Sequence, residues 1–512
     1  MIDIEVKRGS AVVVVISPDS SSNQTKEVMG GNLLNLQFTL NSMVQFQVND
    51  WCTVYGENYY INKLPVVKKT SSRSYEYSFT MESDYYQLVR AQYMFLDASN
   101  ELQEGAFSLM GNADTFLDLL VKNANRIGAG WSKGTAITST YQNMTFNSED
   151  CLSVLGRLAQ QFGTEYYLQG KKIYLDKKQK DTGITLSNGK NKGLYEINRQ
   201  TLNDAKIITR LYAFGSDKNL PPDYRDYATR LRMTGGAIYL EKNVATYGLI
   251  ESVVVLDDVY PHRTGKVTGS DITNPFVFTD IAIDFDVNAQ LLPGVTAKVT
   301  FNTGQLAGYT FDIAQFNNTT KRFTINLNKD EKAIDVPSTL LRPQIGDEYV
   351  LVDIQMPNSY VVAAEAALTQ KAQTLLDTAS APQFQLQVDC DPAYFRRKNL
   401  KIDIGDLIWI YDLQMGINQR IRVAAFTRAF DDEFNYQLTL ADAVTQQPIT
   451  ELYGATGDNS RQIQDINSRL NNRSSENNFV GQVFMADVES TSDTTGMFPL
   501  YVNSSGKVFK KI

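Results

Sequence analysis

Short apolar runs separated by turn formers fill the first 95 residues. IDIEV, AVVVVIS, NLQFTL, VQFQV, CTVYG, YYINKLPVV and SYEYSFTM are rich in β-branched and aromatic side chains, and Gly, Pro, Asn, Asp and Ser stand between them. That spacing predicts a sandwich or barrel. YEYSFTM alternates with period two, as a half-buried strand does. From 96 to 205 the period lengthens. NADTFLDLLVKNANRIG sets Phe116, Leu119, Leu120 and Ile127 on one helical stripe, with Asn112 or Asp114 as cap and Gly128 as stop. A second helix places Leu152, Leu155, Leu158, Ala159 and Phe162 on one face and ends at Gly163. Asn147 or Ser148 caps it, and Glu149 and Asp150 sit at the positive end of its dipole. TEYYLQGKKIYL follows as a hairpin turning at Gly170.

Residues 206–450 return to strands: KIITRLYAFGS, SVVVLDDVY, DIAIDFDV, TAKVTFNTG, GYTFDIAQF, RFTINL and EYVLVDI. One helix, about 360–379, interrupts them, and Pro382 prevents its extension. Residues 451–479 are polar, with Ile463, Ile466 and Leu470 on an a/d/a seam that leans toward three strands but is too short to hold a coiled coil alone. Residues 480–512 read as exposed strands with a hairpin at Asn503 to Gly506. The fold class expected is mainly β with α+β modules: a β-barrel or sandwich domain at 1–95, a helix–hairpin α+β domain at 96–205, a second β domain at 206–450, a short helical stalk and a β extension.

DWCTVYGENYYIN and DLIWIYDLQMGIN match at a constant offset, pairing Asp50 with Asp406, Tyr55 with Tyr411, Ile61 with Ile417 and Asn62 with Asn418. After a slightly longer loop, Tyr77 meets Tyr436 and Thr80 meets Thr439. Two meanders in a Tyr-rich chain match this well without common descent; the other reading is one β domain used twice.

Composition narrows the chemistry. At 512 residues the chain holds several cores. A formal charge of -8, spread along the chain, argues against coating nucleic acid. Cys52, Cys151 and Cys390 lie far apart, so no disulfide framework is expected and a reducing cytoplasm suits the chain. No apolar run reaches the length of a membrane span or resembles a signal peptide. The single histidine, His262, would have to serve any His-dependent triad, and a two-His zinc site is impossible. Asp257, Asp258 and His262 read as a polar turn before they read as a metal site. Cys151, early in a helix, reads as a core thiol. Carboxylate pairs for glycoside cleavage stay open, since sequence gives no separation among 57 acids. Lys68–Lys69, Lys171–Lys172, Lys177–Lys178 and Arg396–Arg397–Lys398 read as charged turns and strand edges that block stray pairing. No catalytic, cofactor-binding or metal-binding residue is assigned.

The order of β domain, helix–hairpin, further β region and polar helical tail resembles phage tail hub proteins: the baseplate hub of contractile phages and the tail-associated proteins, of prophage endopeptidase tail type, of siphophages. EDCLSVLGRLAQQFGTEYYLQGKKIYL looks like that family's helix and hairpin, and YAFGSDKNLPPDYR, YPHRTGKVTG, FNTGQLAGYTFDI and LRPQIGDEYVLVDIQMPNSYVVAAEAAL resemble stretches from Bacteroidetes phages. The resemblance implies two tube-like β domains per chain, so that a homotrimer presents six and docks on a sixfold tail tube. By that analogy the second domain starts near 206, is discontinuous and carries an insertion at about 250–383. The implied partners are two further copies, a hexameric distal tail or tail tube protein, the tape-measure protein, a tip or fibre protein on the C-terminal segment, and DNA only in transit. No stable membrane insertion is expected. The place implied is the virion tail tip, assembled in the host bacterial cytoplasm, with a role in genome ejection. The family's frequent C-terminal peptidase or muramidase does not fit the roughly 60 residues after the second domain, so a structural, non-enzymatic role is expected. The alternatives are a surface carbohydrate-binding protein and a carboxylate-dependent cell-wall hydrolase.

Overall fold

The computed structural model describes residues 3–96, 100–201, 207–328, 335–381, 384–441, 500–502 and 508–510. It divides into Met1–Gly454 and Ala455–Ile512. In the second unit Leu500–Val502 pairs antiparallel with Val508–Lys510. The expected stalk at 451–479 and the turn at 503–506 lie outside the described residues.

The first unit is mainly β. Its N-terminal strands are β1 (Ile4–Arg8), β2 (Ala11–Ile16), β3 (Asn23–Glu27), β4 (Asn32–Leu40), β5 (Trp51–Val54), β6 (Glu57–Tyr60), β7 (Val66–Ser71) and β8 (Ser74–Ser83). Alternation buries Tyr77, Phe79 and Met81 of β8 against Leu34, Leu36 and Phe38 of β4. Tyr55 and Gly56, at φ 53° and 82°, join β5 to β6 in the two-residue turn that needs positive φ at both positions. VQFQV is not a strand. The Tyr77 hydroxyl takes both the Val44 N–H (2.8 Å) and its carbonyl (3.0 Å), and Phe46 plugs the core, so a side chain replaces the ladder.

Helix α1 (Ala113–Ile127) is capped by Asn112, whose carbonyl accepts from the Thr115 N–H at 3.0 Å. Phe116, Leu119 and Leu120 are buried, but Ile127 in the last turn is exposed. Helix α2 (Cys151–Gln161) is capped by Asp150, not by Asn147 or Ser148. Asn147 still belongs to a strand, and Ser148, at φ 53°, spends its N–H on the Gly105 carbonyl. The Asp150 carboxylate then accepts from Leu152 and Ser153. The hairpin Tyr167–Gln169/Lys172–Leu175 turns at Gly170 as expected.

Strands β9 (Lys180–Asn188) and β10 (Gly193–Thr201) fall where the sequence suggested the helix–hairpin domain, yet they join the second β domain. The sheet expected to start near 206 thus already includes strands from Lys180 onward. After them come a three-stranded sheet (Arg210–Gly215, Tyr239–Glu241, Glu251–Leu256), a seven-stranded sheet from Thr264–Lys266 to Glu348–Val352, and helix α3 (Asn358–Ala379). Leu368, Ala372 and Leu376 of α3 pack on Leu211 and Ala213. DIAIDFDV does not extend into a strand. The Asp280 carboxylate is held by Arg263 (2.6 Å), Tyr349 (2.8 Å) and the Ala282 N–H (2.9 Å), which fixes a turn. The chain returns with β11 (Phe384–Cys390), a short helix Pro392–Lys398, β12 (Asp406–Asp412), β13 (Ile417–Ala429) and β14 (Tyr436–Leu440). Strands β13-β12-β9-β10-β11-β14 close on themselves, since β14 pairs again with β13.

The two β domains share an order. Neighbours run β5-β6-β8-β4-β3 in the first and β12-β13-β14-β11-β10 in the second, every contact antiparallel. Ranked along the chain, both read third, fourth, fifth, second, first. The turn before each repeat matches in atomic detail. Asp50 and Asp406 each accept the N–H three residues back, from Gln47 (2.7 Å) and Asp403 (2.9 Å). Asn49 and Gly405, at φ 73° and 83°, donate to the Ile61 and Val423 carbonyls at 2.9 and 2.8 Å. Ile61 therefore corresponds to Val423 and not to Ile417, because the β12–β13 hairpin is longer than β5–β6. Thr80 opposes Asn35 as Thr439 opposes Gln387. The sixth strand differs: β1 runs antiparallel to β5, and β9 parallel to β12.

Candidate assembly site

The repeats are joined edge to edge. β3 pairs with β13 from Asn23 opposite Ala429 to Glu27 opposite Ala425, making one continuous sheet. On its core side the Arg428 guanidinium, 8% exposed, lies 3.3 Å from the Tyr55 ring centroid. It also donates to Gln24 and, at 3.1 Å, to the Tyr436 hydroxyl. A desolvated cation over an aromatic face with fixed acceptors fits this dry setting. Burial pushes the Tyr55 hydroxyl up to about 12. Beside it, the Lys26 ammonium bridges Glu57 (2.6 Å) and Asp403 (2.9 Å), and Lys178 reaches the same Asp403 at 2.6 Å. Burial alone would raise the Asp403 carboxyl; the two ammonium groups hold it below the usual carboxylate range. Arg422, fully buried, makes a bidentate pair with Glu165 at 2.5 and 2.6 Å, fastening the barrel to the helix–hairpin module.

The other side of the sheet faces water, and its composition is unusual. Along β8-β4-β3-β13-β14-β11-β10 it presents Glu76, Ser78, Thr80 and Glu82, then Leu33, Asn35, Gln37 and Thr39, then Asn23, Thr25 and Glu27. Ala425, Thr427, Ala429, Gln437 and Thr439 follow, then Gln385, Gln387, Asp389, Glu196, Asn198 and Gln200. These positions hold five carboxylates and no Lys or Arg. Glu196 stands directly opposite Asp389, a pairing that destabilises a sheet. The first basic group on this face is Lys68 on β7, 3.6 Å from Glu76. Over β3, β13, β14, β11 and β10 the face sinks into a depression of about 370 Å³.

Two strand edges bound this face. Among the described residues β7 pairs only with β8, and β10 touches β9 only at Gly193 and Leu194. From Tyr195 onward the outer edge of β10 has no ladder partner among the described residues.

The residues weighed for chemistry lie elsewhere. Cys52, Cys151 and Cys390 are buried free thiols, and burial pushes all three up, Cys52 to about 12. Asp257 pairs with Arg230 at 2.7 Å, Asp258 pairs with Lys371, and His262 bonds the Tyr260 carbonyl through Nδ1 at 2.8 Å. Among the described residues no group of three or more His, Cys, Asp or Glu is placed to hold a metal, and no helix is long and apolar enough to cross a membrane. Arg396–Arg397–Lys398 closes a helix and complements its negative end, where a turn or strand edge was expected. Sequence reasoning missed Lys26 and Arg428. For Arg428 the signal was present, an inward position between Phe426 and Phe430 where an apolar residue belongs; for Lys26, in the all-polar strand NQTKE, it was not.

No family model matches the sequence, and no curated protein matches it. Among solved structures, the chain is similar to prophage tail protein gp18 from Listeria monocytogenes EGD-e (TM-score 0.46, 10% identity, covering 89% of this chain and 99% of that one). It is also similar to the 43 kDa tail protein of prophage MuSo2 from Shewanella oneidensis (0.46, 10%, 86% and 98%) and to a tail protein from Neisseria meningitidis MC58 (0.44, 9%, 86% and 96%).

Proposed function

We propose that the chain is a non-enzymatic structural component of a phage tail, a hub at the distal end of the tail tube. The observation that carries this reading is the repeated five-strand unit fused through β3 and β13 into one sheet with a base-free outer face. Two like units per chain let three chains present six, which suits a threefold hub on a sixfold tube. A wall of hydroxyls, amides and carboxylates suits a channel for the tape-measure protein and DNA, because phosphates bind lysine and arginine by counterion release. The Glu196–Asp389 contact is tolerated at a cost that such a lining explains. The free edges of β7 and β10 lie at opposite ends of the same path. Head-to-tail pairing between copies would continue the sheet around a ring. The domain limits 1–95 and 206–450 of the sequence reading become, in this proposal, 3–83 and 180–201 plus 384–441, with an insertion between 207 and 381. A tip or fibre protein is assigned to the C-terminal segment, and assembly to the host cytoplasm.

Light scattering of the purified protein tests the assembly: a particle of three 57.4 kDa chains is expected, and a monomer at every salt concentration overturns it. A Lys69→Cys, Arg199→Cys double variant treated with a short bis-maleimide should give a covalent trimer, while each single variant stays monomeric on a denaturing gel. Dimers from a single variant would mean a face-to-face contact and refute head-to-tail pairing.

A further inference from the structure

The seven-stranded sheet of the insertion meets the helix–hairpin module at a groove of about 500 Å³. Its floor is flat: Thr264, Val350 and Thr300 stand side by side across three strands. One wall is the segment from Ser139 to Asn143, and the other is the turn from Asp257 to His262. Tyr141 and Glu348 line it from opposite sides of the seam. The volume falls within the range of small-ligand sites and suits about two to three pyranose rings.

The charges define what fits. Asp257 is balanced by Arg230 and Asp258 by Lys371, and Glu348 lies beside Tyr141. A free cation therefore gains little. A phosphate or sulfate meets three carboxylates against Lys218, which lies 5.6 Å over the Tyr260 ring. What the groove offers is carboxylate lone pairs, two of the three groups held in place by ion-pair partners, together with threonine hydroxyls and the Asn302 amide. Beside these lie the aliphatic side chains of Val350 and Val352, and the His262 ring, tilted against Tyr260 with centroids 4.5 Å apart. Acceptors for hydroxyls beside apolar surface for C–H faces match a neutral sugar. We propose that this groove binds a neutral oligosaccharide of about two to three pyranose units. This does not rest on the tail assignment, since the groove lies apart from the continuous sheet and its face.

Saturation-transfer NMR on the full chain with chitotriose, maltotriose and cellotriose tests it. Transfer to at least one trisaccharide is expected at about millimolar Kd. Glu348→Gln should weaken it about tenfold, the effect of one charge-assisted hydrogen bond. Thr264→Trp, which adds bulk at an exposed position of the floor, should abolish it while the circular dichroism melt stays unchanged. Absence of transfer from all three sugars overturns the proposal. So does transfer that survives Thr264→Trp, or tighter binding of a sulfated trisaccharide than of any neutral one. Trimer formation is read separately, so failure of this site leaves the assembly reading testable.

Discussion

Replacing Arg428 with Met removes the cation at the junction of the repeats while keeping a long apolar stem. The side chain lies 3.3 Å from the Tyr55 ring centroid, so a desolvated cation–π contact of about 2 kcal/mol is lost. Gln24 and Tyr436 lose a donor in a buried setting, at about 1 kcal/mol or more each. Together these predict a local loss of about 3–5 kcal/mol, in the range seen when a buried polar network loses one member. Hydrogen exchange by mass spectrometry reads the effect where it arises. Peptides spanning β3 and the end of β13 should exchange roughly 100-fold or more faster, whereas the insertion should be unchanged. Arg428→Lys keeps the charge but not the planar fork and should fall between. A cycle with Tyr55→Leu isolates the ring contact, with an expected coupling of about 1–2 kcal/mol. Protection in β3 that stays within threefold of the parent would refute the view that this guanidinium fastens the repeats.

The remaining predictions concern the same chain under other perturbations. Asp403 is held below the usual carboxylate range by Lys26 and Lys178 against the effect of burial, and Lys26 is raised by its two acids against the same effect. A depressed acid stabilises the fold above its unfolded value and loses that as pH falls through the folded one. A raised lysine stabilises below its unfolded value and loses that as pH rises. Junction stability in urea should therefore stay flat from about pH 5 to 10 and drop on either side; a steep fall between pH 6 and 8 would refute it. Asp84 runs the other way: burial raises its carboxyl, and Oδ1 has no hydrogen-bond partner among the described residues. Asp84→Asn should raise Tm at pH 7 and lose that advantage near pH 4, because ionisation of a raised acid costs stability as pH climbs. Gly405→Ala places a Cβ 2.8 Å from the Lys178 carbonyl at φ 83° and should cost about 2–3 kcal/mol by chemical denaturation, whereas Asn49→Gly should be nearly neutral. Iodoacetamide should leave all three cysteines unmodified in the native protein and label them in urea; rapid native labelling of Cys151 would contradict its burial.

Local pattern decided the element types. Alternation in SYEYSFTM, the stripe Phe116–Leu119–Leu120 and the Gly170 hairpin are properties of neighbouring residues, and each is legible without knowing what lies across the core. The repeat was legible at its turn as well, because Asp50 and Asp406 each close the same three-residue contact within a few bonds. Register beyond that turn was not, since the length of the β12–β13 hairpin depends on what it pairs with. Caps and non-strands went astray for the same reason. Ser148 was spoken for by Gly105, and VQFQV by the Tyr77 hydroxyl, partners distant in the chain.

The fusion of the two repeats into one sheet belongs wholly to tertiary structure. Strands separated by the helix–hairpin module and the whole insertion become neighbours, and only then do Lys26 and Arg428 acquire partners. The base-free face is likewise an emergent property. Its glutamates, threonines and amides are scattered from Asn23 to Thr439, and no window of sequence holds enough of them to be noticed. Strand pairing gathers them on one side because side chains alternate with period two and the pairing keeps that parity over the face, which stops at the irregularities between Val423 and Ala425 and between Leu194 and Glu196.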